Sequence, residues 1–265
     1  MAEYYETNKA RWNELVEIHA KSEEYDLEGF IAGRNSLHQA ELDILGDVTG
    51  KSLFHLQCHF GLDTISWARL GARATGVDFS ETAIELAREI AKKVGSDAEF
   101  VCGNIYDLPQ VHEGEYDIVF TSIGVLCWLQ EIDRWGSIIA HYLKPGGTFL
   151  LVESHPLMWV FDDESKGLRI RYSYWHREEP LTWEQDGSYA AEDAKLENRR
   201  SYEWQHSASD VLNSLIKAGL RIKEVKEYPY LPWKYLESAE KGSDGYWRIP
   251  GDRLPQMWSV EAVKI

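Results

Sequence analysis

The chain has 265 residues, enough for one large domain or one domain with an embellishment. Lysine and arginine number 28 against 44 aspartates and glutamates, and the net charge of −16 opposes binding to nucleic-acid backbones or anionic lipid. No apolar run approaches the ~18 residues of a membrane span, and the N-terminus does not read as a secretory signal. Cys58, Cys102 and Cys127 lack metal-ligand spacing, so they read as small buried hydrophobes in a reduced, cytoplasmic protein.

Residues from about 7 to 45 read as helical, with Thr7 as the first cap and shorter helices over Leu27 to Ile31 and Leu37 to Leu45. An α/β alternation follows. Leu53, Phe54 and Leu56 make an apolar strand, Gln57 to Gly61 a tight turn, and Leu62 to Leu70 a helix stopped by Gly71. Ala74, Gly76 and Val77 lead into Asp78, and Ser80 caps a helix whose apolar face carries Ala83, Ile84, Ala87, Ile90 and Ala91. Phe100 to Cys102, Tyr116 to Thr121 and Thr148 to Glu153 read as further strands, the last entered through the turn Leu143 to Gly147 (LKPGG). Continuous apolar strands separated by helices predict a parallel sheet covered on both faces.

The alternation breaks at His155. Through His206 the chain is rich in tryptophan and charge, and Leu168 to Tyr174 is expected to pair with Arg200 to Trp204 as a small ribbon. Ser207 caps a helix ending at Gly219, after which Leu220 to Glu227 and Met257 to Ile265 read as two last strands. Pro232, Pro250 and Pro255 punctuate their connection, so no crossover helix fits and the pair is expected to be antiparallel. The expected organisation is one domain: a helical cap (1–46), an α/β core (47–154), an aromatic insert (155–206) and a C-terminal helix with its strand pair (207–265).

Strand, tight loop, helix, strand and then Asp78 is half of a nucleotide-binding unit. A carboxylate at that strand end can accept hydrogen bonds from ribose hydroxyls while the first loop brings backbone close to the ligand. The glycine pattern of a dinucleotide site is absent, since the loop reads Gln57-Cys58-His59-Phe60-Gly61.

The order of these features resembles the class I S-adenosylmethionine-dependent methyltransferases. LQCHFG (Leu56 to Gly61) occupies the place of the family's G-x-G-x-G, with Gln57 and His59 replacing two glycines and His55 standing where an aspartate is common. It looks like a variant loop of a bacterial small-molecule subgroup. Asp78-Phe79 matches the ribose-binding position. Gly103 to Pro109 (GNIYDLP) matches the G-D-x-x-x-L-P segment, with Asn104 at the adenine-binding position and Ile105 against the ring. Tyr116 to Leu129, containing Ser122 and Ile123, matches the fourth strand and the loop beside the methionine moiety.

The resemblance implies a Rossmann-like seven-stranded sheet, mostly parallel with an antiparallel last strand and helices on both faces. It further implies S-adenosyl-L-methionine held by Gln57, Cys58, His59, Gly61, Asp78, Phe79, Asn104, Ile105, Ser122 and Ile123. His155, directly after the fifth strand, and His206 are the candidate bases. Trp128, Trp159 and Tyr25 are candidate substrate contacts, and Tyr4, Tyr5, Trp12 and Tyr25 a candidate lid. The expected acceptor is a small molecule and the expected state a monomer or homodimer, with neither nucleic acid nor membrane as partner. A nicotinamide-dependent oxidoreductase and a non-catalytic S-adenosylmethionine-binding protein are the alternatives.

Overall fold

The computed structural model describes residues 2–163, 165, 167–191 and 193–265. Three helices come first: α1 (Ala2–Ala20), α2 (Leu27–Ile31) and α3 (Gln39–Leu45). The core follows as β1 (Ser52–Leu56), α4 (Leu62–Arg69), β2 (Arg73–Asp78), α5 (Glu81–Val94), β3 (Glu99–Cys102), α6 (Leu108–Val111), β4 (Tyr116–Thr121), α7 (Ile132–Tyr142) and β5 (Leu143–Ser154). A ribbon of β6 (Leu181–Glu184) and β7 (Arg200–Glu203) precedes α8 (Ala208–Lys217) and β8 (Leu220–Tyr228). Two short strands, β9 (Glu240–Lys241) and β10 (Trp247–Arg248), lead to β11 (Met257–Lys264).

Seven strands form one sheet in the order β3-β2-β1-β4-β5-β11-β8. β3, β2, β1, β4 and β5 are parallel neighbours, and β11 runs antiparallel between β5 and β8. β11 is therefore the reversed strand, inserted inside the edge as a long hairpin with β8. Apolar side chains cover both faces of the sheet. Phe54, Leu56, Trp135, Phe149, Leu151 and Trp258 pack on one side, and Leu53, Trp67, Phe120, Leu150, Val152 and Met257 on the other.

Local chemistry sets the boundaries. The Ser80 Oγ accepts the Ala83 N–H at 3.1 Å to start α5, and Ser207 with Asp210 makes a reciprocal cap on α8. Gly76 lies where a Cβ would stand 2.7 Å from Thr64 Oγ1 and 2.8 Å from Cys58 Sγ, so only glycine lets β2 approach α4 this closely.

Two expectations are corrected. α1 begins at Ala2, so Thr7 is interior to the helix rather than its cap. β7 pairs with Leu181–Glu184 and not with residues 168–174. The backbone of that stretch is satisfied elsewhere: the Arg171 N–H donates to Val160 O, and Asp162 N–H donates to Arg169 O, both at 2.8 Å.

Candidate active site

A cavity of about 1280 Å³ opens at the carboxyl ends of the parallel strands, where open α/β sheets bind ligands. Ligand pockets commonly measure about 300–1,000 Å³, so this one has room for two small molecules side by side.

The turn after β1 makes one wall. Gln57 (φ 59°), His59 (φ 51°) and Gly61 (φ 77°) all take the left-handed conformation. These alternate positions are the ones a glycine-rich loop would fill with glycine. A non-glycine residue there costs ~1–2 kcal/mol, so the neighbours must hold it. The Cys58 N–H donates to Val77 O at 2.8 Å and the Gly61 N–H to Cys58 O at 2.9 Å. The His59 N–H donates to Asp78 Oδ2 at 2.9 Å, and the His59 ring meets His19 of α1 at 3.0 Å. The left-handed Gly61 also has no room for a Cβ, which would lie 2.4 Å from the Phe100 ring.

Asp78 ends β2 beneath that turn. Its second oxygen accepts the Ser80 N–H at 2.9 Å, so each oxygen has one backbone donor and retains acceptor capacity. Burial pushes its carboxyl up to about 6 against those hydrogen bonds. His55 of β1 joins Thr64 Oγ1 (2.9 Å) to Ser122 Oγ (3.0 Å), tying the end of β1 to α4 and to the end of β4. Burial pulls this imidazole down to about 3, so it stays neutral.

All ten residues expected at the cofactor line this one cavity: Gln57, Cys58, His59, Gly61, Asp78, Phe79, Asn104, Ile105, Ser122 and Ile123. The Asn104 side-chain oxygen already accepts the Tyr106 N–H at 3.0 Å, which fixes its direction. Tyr25, Trp128 and Trp159 line it too, as do Tyr4, Tyr5 and Trp12. The Trp128 indole donates to Gly124 O at 3.0 Å and meets Trp12 edge-on, while Trp159 packs edge-on against Tyr235.

His155 and His206 do not line the cavity. The His155 Nε2 faces Glu227 at 3.0 Å, and its Nδ1 accepts the Leu157 N–H. The His206 Nε2 donates to Leu129 O at 2.6 Å, its ring stacks on His176, and burial lowers its pKa to about 4. Both rings are thus engaged by other parts of the fold and not by the cavity.

Sequence reasoning missed the fastening of the roof. Asn8 exchanges two hydrogen bonds with the Tyr202 backbone, both 2.8 Å, as a neighbouring strand would. The Arg11 guanidinium donates to the carbonyls of Gln185, Gly187, Asn198 and Arg199 at 2.9–3.2 Å. His19 reaches Ser188 Oγ at 2.7 Å, and Tyr25 bonds to Tyr189 through their hydroxyls. Helix α1 and the insert thus form one cover. Glu153, at the end of β5, receives the N–H groups of Gly124, Val125 and Leu126 at 2.7–3.1 Å and fixes the turn after β4. These contacts join segments far apart in the chain, with no local motif to announce them.

Among the described residues no cluster of metal-binding side chains occurs, and no helix is long and apolar enough to cross a membrane. The three cysteines are free.

Residues 54–151 match the family described as a methyltransferase domain. The chain is 35% identical over 137 residues to an uncharacterized methyltransferase of Synechocystis, covering 49% of this chain and 60% of that protein. It is 29% identical over 105 residues to a ubiquinone biosynthesis O-methyltransferase of Shewanella pealeana, covering 38% of this chain and 43% of that protein. The chain therefore spans roughly half the length of these relatives. Among solved structures, an S-adenosylmethionine-dependent methyltransferase from Mesorhizobium loti superposes with a TM-score of 0.62 at 18% identity, over 88% of this chain and all of that one. The sheet order, the reversed β11 and this superposition together give the chain the Rossmann-like fold of the class I S-adenosylmethionine-dependent methyltransferases.

Proposed function

We propose that the protein is an enzyme that transfers a methyl group from S-adenosyl-L-methionine to a small-molecule acceptor. The observation that carries this is the left-handed turn Gln57–Gly61 standing over the buried Asp78 at the mouth of the parallel strands. The residues fit the donor. Gln57 Oε1 is buried without a hydrogen-bond partner in the cavity wall, and Asp78 keeps acceptor capacity for the ribose hydroxyls. Ile105 and Phe79 offer apolar surface, Asn104 a polar edge for adenine, and Ser122 and Ile123 the side toward the methionine moiety.

When bound, S-adenosylmethionine supplies a methyl carbon on a positively charged sulfur, whose C–S bond breaks with both electrons passing to sulfur. The chain's own work is alignment and enclosure. Asp78 and the turn fix one end of the donor. Glu153 holds the turn that carries Val125 to Trp128, and α1 and the insert form a roof over the cavity. A cavity rich in aromatic walls and the −16 charge favour a small organic acceptor over nucleic acid. The reversed β11, absent from a simple doubly wound dinucleotide fold, favours this reading over a nicotinamide-dependent oxidoreductase.

Titration calorimetry of ligand-stripped protein with S-adenosylmethionine, S-adenosylhomocysteine and NADH tests it. Binding of the first two and not the third is expected. NADH binding alone would overturn it.

A further inference from the structure

The cavity extends beyond the donor's side to a second wall, where Glu203 stands without an ion pair among the described residues, with the Asp163 carboxylate near enough to act on its charge. β7 presents alternate residues to opposite sides. Ser201 and Glu203 line the cavity, while Tyr202 turns to α1 and packs on Tyr4 with ring centroids 4.6 Å apart. The ribbon's end is pinned, because the Trp204 N–H donates to Cys127 O at 2.8 Å. Glu203 is thereby fixed beside the turn that carries Trp128, within the cavity that also holds Asp78. Trp128, Trp159, Trp204 and Tyr235 wall the same cavity.

The cations of the wall are already engaged. The Arg11 guanidinium, near enough to Glu203 to feel its charge, spends its N–H groups on four carbonyls. Arg34 pairs with Asp26, Arg134 with Glu131 and Lys234 with Glu237. Among the described residues no ion pair includes Glu203. An aromatic enclosure with a carboxylate in its wall attracts an organic cation through both the ring faces and the charge.

Building on the methyl-transfer reading, we propose that Glu203 and the surrounding indoles form the acceptor subsite, and that the acceptor is an amine bound as its ammonium ion. Glu203 then has a second use. As the ammonium proton passes to the Glu203 carboxylate oxygen, the nitrogen lone pair becomes free for the methyl carbon. Burial pushes the Glu203 carboxyl up to about 7, against the pull of the Trp183 indole and Arg11 and with a small push from the Asp163 carboxylate, so it exchanges a proton near neutrality.

The test is a titration of the whole protein, with benzyltrimethylammonium as the cation probe and benzoate and benzyl alcohol as anionic and neutral comparators, read by tryptophan fluorescence and calorimetry. The cation is expected to bind at least tenfold more tightly than either comparator, with an affinity that rises as pH rises through about 7. Glu203→Gln should lose at least tenfold of the cation's affinity and its pH dependence, and Glu203→Asp should restore both. S-adenosylmethionine affinity within threefold of wild type in the Gln variant shows that the cavity is intact. Wild-type protein that binds S-adenosylmethionine but does not prefer the cation, or a Gln variant that keeps the preference, overturns the amine assignment and leaves methyl transfer standing. Cation preference without S-adenosylmethionine binding overturns methyl transfer instead.

Discussion

Replacing Asp78 with asparagine separates the cost of the site from its use. The carboxyl is buried and titrates at about 6 rather than 3.8. Ionised at neutral pH, it destabilises the free protein by about 3 kcal/mol relative to the same group in an unfolded chain. The penalty is absent below pH 3.8 and grows as pH rises through about 6. The Asp78→Asn substitution removes that penalty. It also turns one acceptor oxygen into a donor facing either the His59 or the Ser80 N–H, now 2.9 Å away, at a cost of about 1–3 kcal/mol. The two changes nearly cancel, so the melting midpoint of the free variant should stay within a few degrees of wild type.

Binding has no such compensation. A hydrogen bond from a ribose hydroxyl to a carboxylate contributes about 1.5–3 kcal/mol, and losing about 2 kcal/mol of it lowers S-adenosylmethionine affinity roughly 30-fold. The ligand prefers the ionised carboxyl, so wild-type affinity should also fall as pH drops below about 6, and the variant should lose this dependence. Calorimetry at pH 7.5 and 5.5 with parallel thermal melts measures both. A variant that binds within threefold of wild type at pH 7.5 refutes the ribose role.

Three further outcomes are expected. Arg11→Ala removes contacts to four carbonyls and should expose residues 185–199 to trypsin well before the core is cut; equal cleavage rates refute the fastening. Gly76→Ala drives a methyl into Thr64 and Cys58 and should cost about 1–3 kcal/mol of stability in urea unfolding; an unchanged midpoint refutes the close approach. His19 and His206 are held neutral by burial, with pKa values near 4, so their contribution to stability is complete above pH 6.5 and drains away as pH falls toward 4. Their ring resonances in NMR should not titrate above pH 5, and an ordinary transition near 6.5 would refute the burial.

The core was legible because its signals are local. An apolar run bounded by Gly71, a serine three residues before the Ala83 N–H, or prolines breaking the last connection each constrain backbone within a few residues. The strand pair Leu220–Tyr228 and Met257–Lys264 followed from the lack of any helix between them. That the ten residues proposed for the donor line one cavity has the same origin, since they sit at or beside strand ends. What failed depended on distance. Residues 168–174 were expected to pair with the ribbon, but their backbone is hydrogen-bonded to the turn at 158–162 instead. His155 was chosen for its place directly after the fifth strand and His206 for its chemistry, but neither lines the cavity, and their partners Glu227 and Leu129 O are remote in sequence. Glu203 gave no sign at all, because its surroundings come from α1, the turn after β4 and the insert together.

The fastening of the roof has an evolutionary consequence. Asn8 and Arg11 grip main-chain atoms of the insert, and Glu14 receives the backbone N–H groups of Glu197 and Asn198. Every residue type except proline offers those same atoms, so this part of the grip does not depend on the insert's side chains, whereas Ser188 and Tyr189 are held through theirs. A lineage carrying this arrangement can change many side chains of the insert one substitution at a time while these main-chain contacts keep α1 and the insert together.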